Sequence, residues 1–185
     1  PQNSFADCEG NYPVYSNYRV SNSTGSGVFS LYTGTQHSVN TFFIKLTQKT
    51  GICDPWKLAK KMGLKLTNTA AHPTRTPNFA LGAAGSSPLE TASAYATFAA
   101  RGKYCKPLPV TRILNADGEV FKTYASSCKQ VMNQYTADVV NDVLRGVQLP
   151  GGFGYSAGLA LPIPSAGKTG TTQDNKAVWF AGYTP

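Results

Sequence analysis

The sequence predicts a mixed α+β domain, and three observations carry that reading. Helical spacing of apolar residues dominates the middle of the chain, while strand-like runs close it over 167–173 and 177–183. An Asp117-Gly118 turn sits between two alternating runs and marks a hairpin. The composition is 41% hydrophobic and 14% charged, with 18 Gly and 12 Pro, too apolar for a disordered chain and too interrupted for a coiled coil. Residues 1–185 form one stretch without repeats, the length of part or all of a single domain.

The elements follow in order. Residues 1–37 are rich in Ser, Asn, Gly and Tyr, show little periodicity, and read as loops and short strands. A helix is expected from Ser38, capped by that serine, with Val39, Phe42, Phe43 and Leu46 on one face and Gly51 closing it. Asp54-Pro55-Trp56 reads as a cap followed by proline in the first turn of a helix running to Met62 and stopped by Gly63. Ser87-Pro88-Leu89-Glu90 is a capping box, opening a helix that runs to Arg101 and ends at Gly102. The hairpin then spans Val110–Leu114 and Glu119–Lys122, and a further helix covers Thr136–Arg145. Residues 149–167 read as a Pro- and Gly-rich loop.

The formal charge is +8, but the densest basic stretch, Lys57, Lys60, Lys61 and Lys65, has the spacing of a solvated helix face, and no nucleic-acid recognition motif accompanies it. No apolar run approaches the ~20 residues of a membrane span. Pro1-Gln2-Asn3-Ser4 has neither the basic start nor the apolar stretch of a signal peptide. The chain opens without Met and stops on Pro185 just after the apolar run 177–182, which predicts a piece of something larger.

Four cysteines, Cys8, Cys53, Cys105 and Cys128, form no Cys-x-x-Cys, and His37 and His72 add no zinc spacing, so neither a metal nor a cofactor is implied. An even count suits two disulfides and an oxidising compartment; buried free thiols are the alternative. Three pairings are possible. Because a hairpin brings its ends together, Cys105–Cys128 is favoured, with Cys8–Cys53 left over.

The chemistry gathers in two short motifs. Lys168-Thr169-Gly170-Thr171-Thr172 puts an ammonium, hydroxyls and a glycine on one strand-like run. Such a strand can hold a carboxylate and point a backbone N–H at an oxyanion. The alternative is a polar edge strand with an ordinary lysine. A second Lys-Thr-Gly, at Lys49, falls at a helix end and is explained by capping. Ser38-Val39-Asn40 is the only Ser-x-Asn, preceding Lys168 by 130 residues at a helix start.

Ser-x-Asn followed by Lys-Thr-Gly resembles the signature of penicillin-binding proteins and serine β-lactamases. The runs Leu81-Gly82…Ser87-Pro88-Leu89-Glu90…Ala94–Ala99 and Lys168–Thr172…Ala177–Pro185 look like the transpeptidase domain of class A, bifunctional penicillin-binding proteins, over nearly all of residues 30–185. The resemblance implies an antiparallel sheet flanked by helices with a helical lobe. It implies D,D-transpeptidation of peptidoglycan stem peptides through an acyl-serine, with β-lactams as mimics of D-Ala-D-Ala. The implied setting is the extracytoplasmic face of a bacterial membrane, reached through an N-terminal anchor of the parent protein.

Residue by residue, Ser38 would relay a proton to the leaving nitrogen, Asn40 would bind the substrate's amide side chain, and Lys168 would set the electrostatics around Ser38 and the substrate carboxylate. Thr169 and Thr171 would bind the carboxylate beside Gly170, and the Thr171 N–H would serve the oxyanion hole. The sequence departs from the pattern in one place. No Ser-x-x-Lys lies ahead of Ser38, and Ser126-Ser127-Cys128-Lys129 comes in the wrong order. The nucleophile is therefore expected on an upstream segment of the same domain, a partner of this chain.

A β-lactamase-like hydrolase is disfavoured. Glu9, Glu90 and Glu119 are the only glutamates, and none sits in the loop pattern that would activate a deacylating water. A non-catalytic penicillin-sensing domain and a basic binding module remain as other readings.

Overall fold

A computed structural model describes residues 4–13, 19–66 and 75–185; Pro1–Asn3 and His72 lie outside these. Strands β1 (Ser4–Asp7) and β2 (Gly10–Pro13) pair antiparallel. Phe5 of β1 is 1% exposed and packs with Ile44 and Ile52, with Val20 against them. Burying such side chains contributes roughly 1.5–3 kcal/mol each.

Three helices follow: α1 (Leu31–Gln36), α2 (Asn40–Thr50) and α3 (Cys53–Lys61). Helix α1 lies where loops and short strands were expected. Ser30 caps it in a box whose third residue is Thr33 rather than Glu or Gln, and six residues are too few to show a period. Helix α2 begins at Asn40, not Ser38, because Ser38 adopts φ +55° and cannot lead into a helix. Helix α3 starts one residue before Asp54, which then sits in the first turn. The Ile52 N–H donates to Ala6 O at 2.8 Å, and a Cys8–Cys53 disulfide, with Cα atoms 4.9 Å apart, fastens β1 to the same junction.

After a 3₁₀ turn at Pro77–Leu81 comes α4 (Pro88–Ala99), opened by the expected Ser87–Glu90 capping box. Such a cap is worth about 1 kcal/mol. The chain reverses at Arg101 (φ +52°) and Gly102 (φ +87°). A Cβ at Gly102 would run into Met132 O, so only glycine fits.

Strand β3 (Lys103–Cys105) then leads into a hairpin, β4 (Arg112–Leu114) and β5 (Val120–Thr123), and β6 (Cys128–Gln130) returns beside β3. Asn115 Oδ1 accepts the Asp117 and Glu119 N–H groups and shapes the turn. The structure joins Cys105 to Cys128, directly paired in register. All residues of β4 and β5 are exposed.

Helix α5 (Gln134–Gly146), capped by Asn133, begins two residues earlier than expected, and a short α6 (Phe153–Ser156) lies inside the expected loop. Strands β7 (Ala166–Thr171) and β8 (Val178–Tyr183) pair antiparallel, Lys168 opposite Ala181. Helix α4 packs on β8 and α5 on β7, so helices flank the antiparallel pair. Helix α1 crosses α5 closely, with Tyr32 filling the space a Cβ at Gly146 would need. The β8 residues Val178 and Phe180 stay 69% and 41% exposed.

Candidate active site

The site is built where α1 hands over to α2, facing β7. Ser38 occupies that junction and Lys168 stands on the strand. Its Nζ donates to Ser38 Oγ at 2.8 Å, across 130 residues of sequence. The same Nζ donates to Thr169 O at 3.0 Å and reaches Thr169 Oγ1 at 3.4 Å. Thus Ser38, Lys168 and Thr169 are in direct contact. Gly170 and Thr171 continue the strand outward and are exposed.

Strand alternation alone would not turn Lys168 and Thr169 to one side; the lysine's long stem bends its ammonium back over its neighbour. Thr172 is structural, exchanging hydrogen bonds with Ala177 to close the turn between β7 and β8. Asn40, at the first position of α2, donates from Nδ2 to Ser21 O at 3.0 Å. Sequence reasoning missed the segment that receives it, Ser21–Gly25. Its polar residues read as a plain loop; the signal was a helix start whose own preceding residue, Val39, has no capping group.

Burial lowers the Lys168 pKa from 10.5 to about 8. A lysine near neutrality in direct contact with a serine hydroxyl can both donate and take a proton at physiological pH. The same shift has a stability consequence. Below pH 8 the folded and unfolded states both hold the ammonium, and the full cost of desolvating it is present. Between pH 8 and 10.5 the folded state sheds the proton first, and the cost is relieved. The stability of the wild type relative to Lys168→Met is therefore expected to rise across that window by up to ~3 kcal/mol. Half-buried Tyr95 and Tyr183, both pushed up to about 12 by desolvation, titrate alike in the two proteins and cancel. Urea unfolding at pH 7.5 and 10.5 checks it; a difference that stays flat with pH rejects it.

The other matches carry no site. Lys49 is in the last turn of α2, and Gly51 is its C-cap at φ +78°. Ser126-Ser127-Cys128-Lys129 runs into β6, whose first residue, Cys128, is oxidised and paired with Cys105. Among the described residues no cluster of His, Cys, Asp or Glu could hold a metal. A cavity of about 300 Å³ lies where β7 begins and β8 ends, against Asn141, Arg145, Ala166 and Tyr183; neither Ser38 nor Lys168 lines it.

The chain matches the penicillin binding protein transpeptidase domain over residues 1–185. It is 34% identical over 149 residues to penicillin-binding protein 1A of Aquifex aeolicus (strain VF5), covering 80% of this chain and 19% of that protein. Its fold is similar to the D,D-transpeptidase domain of a peptidoglycan glycosyltransferase from Eggerthella lenta, with TM-score 0.75, 28% identity, and coverage of 90% of this chain and 48% of that one. It is also similar to the PonA1 protein of Mycobacterium tuberculosis in complex with penicillin V, with TM-score 0.71, 25% identity, and coverage of 99% and 50%. The chain thus spans about a fifth of the curated relative's length and about half of each solved chain. With the match running across all its residues, the chain belongs to the penicillin-binding protein transpeptidase domain family.

Proposed function

We propose that residues 1–185 are part of a single transpeptidase domain that cross-links peptidoglycan stem peptides, and that β-lactams acylate that domain. The observation that carries this reading is the 2.8 Å contact between Ser38 Oγ and Lys168 Nζ, which unites the two family motifs present in the chain. The nucleophilic serine belongs to a Ser-x-x-Lys segment upstream of Ser38 in the parent protein.

That serine's oxygen attacks the carbonyl joining two D-Ala residues, giving its proton to the segment's lysine. The C–N bond breaks, and the leaving nitrogen takes a proton through Ser38, supplied with Lys168 beside it. D-Ala departs and an acyl-serine remains. The amine of a neighbouring stem peptide then attacks the ester, the C–O bond breaks, and the serine regains its proton. With a β-lactam the same attack opens the ring amide, but the nitrogen stays tethered.

Within this chain, Asn40, its Nδ2 held by Ser21, turns its Oδ1 to the substrate's amide side chain. Lys168 and the hydroxyls of Thr169 and Thr171 hold the substrate carboxylate beside Gly170. The Thr171 N–H contributes to the oxyanion hole. The setting is the extracytoplasmic face of a bacterial membrane, with the parent anchored N-terminally. The two disulfides and the exposed apolar side chains of β8 support a chain that works in an oxidising compartment within a larger domain.

Benzylpenicillin labelling followed by peptide mass mapping tests the reading. Residues 1–185 alone are expected to take no covalent label, since Ser38 has no lysine three residues on. A longer chain, or this chain refolded with the upstream segment, is expected to acquire one label on the upstream serine. Stoichiometric labelling of any serine within 1–185, or none in the longer chain, rejects it.

A further inference from the structure

Ser38 is an isolated left-handed residue between two helices, with φ +55°. A serine held there costs on the order of 1–3 kcal/mol and persists only where its surroundings over-determine it. Backbone bonds hold part of the junction, from the Ser38 N–H to Thr35 O at 3.1 Å and from the Val39 N–H to Gly34 O at 2.9 Å; the rest is the strap Ser21–Gly25, which is sewn to the chain on both sides of Ser38. On the upstream side, Thr24 Oγ1 donates to His37 O at 2.6 Å. On the downstream side, the Thr41 N–H donates to Asn22 Oδ1 at 2.9 Å, and Asn40 Nδ2 donates to Ser21 O at 3.0 Å.

Helix α2 needs that outside help. Its N-cap, Val39, has no group to accept a first-turn N–H, so Asn22 caps the helix from 19 residues upstream. Asn22 is itself braced, donating from Nδ2 to Gly25 O at 2.9 Å. Val39 is fully buried between the two sets of bonds, so the junction is pinned by packing as well.

We propose that Thr24 and Asn22 are positioning residues for acyl transfer: Thr24 holds the Ser38 hydroxyl against Lys168, and Asn22 holds Asn40 toward the substrate. Neither touches the reacting atoms. The inference rests on the acyl-transfer reading of this site. It divides the strap by role, because Thr24 grips the Ser38 side of the junction and Asn22 the Asn40 side.

The test is stopped-flow acylation by benzylpenicillin in the longer chain that carries the Ser-x-x-Lys segment, separating the acylation rate constant from the dissociation constant of the preceding complex. Thr24→Val is expected to slow acylation about tenfold and to change the dissociation constant less than twofold, and Thr24→Ser to restore the rate. Asn22→Ala is expected to weaken the preceding complex severalfold, and Asn22→Asp, which keeps the acceptor for Thr41, to recover most of it. Unchanged constants overturn the proposal. So does a loss that merely follows the folded fraction in thermal melts and is not rescued by Thr24→Ser. If the wild-type longer chain takes no label, the acyl-transfer reading fails instead. The strap is then judged by NMR titration of the Lys168 ammonium, which shifts in Thr24→Val if the strap holds Ser38 on it and stays put if it does not.

Discussion

Lys168→Ala, in a chain carrying the Ser-x-x-Lys segment, will slow acylation by benzylpenicillin by about 100-fold or more. Two observed contacts disappear together, the proton partner at 2.8 Å from Ser38 and the bond to Thr169 O, and with them goes the positive charge that the proposed mechanism places beside the substrate carboxylate. Interactions of this kind, aimed at charge that develops in the transition state, are each worth roughly 3 kcal/mol. Thr171→Val separates hydroxyl from backbone, since it keeps the N–H that the proposed mechanism offers to the oxyanion. It should therefore slow acylation less than Lys168→Ala does, and mainly through weaker binding. Fluorescent-penicillin labelling followed on gels over time gives both rates. A loss under threefold for Lys168→Ala would reduce the lysine to a structural tie between β7 and the α1–α2 junction.

The largest effect on stability is expected at a residue far from the chemistry. Gly102→Val should cost about 3 kcal/mol or more. The position has φ +87°, which a β-branched residue adopts only with strain, and any Cβ there meets the Met132 carbonyl. The backbone cannot relax away cheaply. The Gly102 N–H donates to Thr97 O at 2.8 Å, and Gly102 O accepts from the Val131 and Met132 N–H groups at 3.0 and 3.3 Å. Moving one residue would thus loosen the end of α4 and the start of β3 together. Urea unfolding followed by circular dichroism measures it, and a cost below about 1 kcal/mol would show that this turn yields where the geometry says it should not.

What the sequence reveals depends on how local the determining physics is. The α4 start was legible because Ser87, Pro88 and Glu90 act on one another within a single turn. The hairpin was legible because Asn115–Gly118 encodes its own reversal. The start of α2 was not, since its cap comes from Asn22, and nothing within a helical window marks that partner. For the same reason Ser38 read as a helix cap, although its backbone is left-handed and its hydroxyl meets Lys168 instead. Helix α1 escaped because Thr33 replaces the usual acidic partner in its capping box. The Ser38–Lys168 contact joins residues whose types and order were informative, but whose meeting depends on α5 packing on β7 and α1 on α5.

The bond between Cys105 and Cys128 turns the chain between them into a closed ring hung from the domain by a single short ladder. Whatever happens inside the ring, the two strand ends that rejoin the domain keep their spacing. Residues 106–127 are therefore expected to lengthen, shorten or be cut once with little change to what Gly102 or α5 experiences, and a cut leaves the two pieces covalently one molecule until a reductant arrives. The domain thus carries a site where sequence can drift and grow at little cost to the parts that hold Ser38 and Lys168 together.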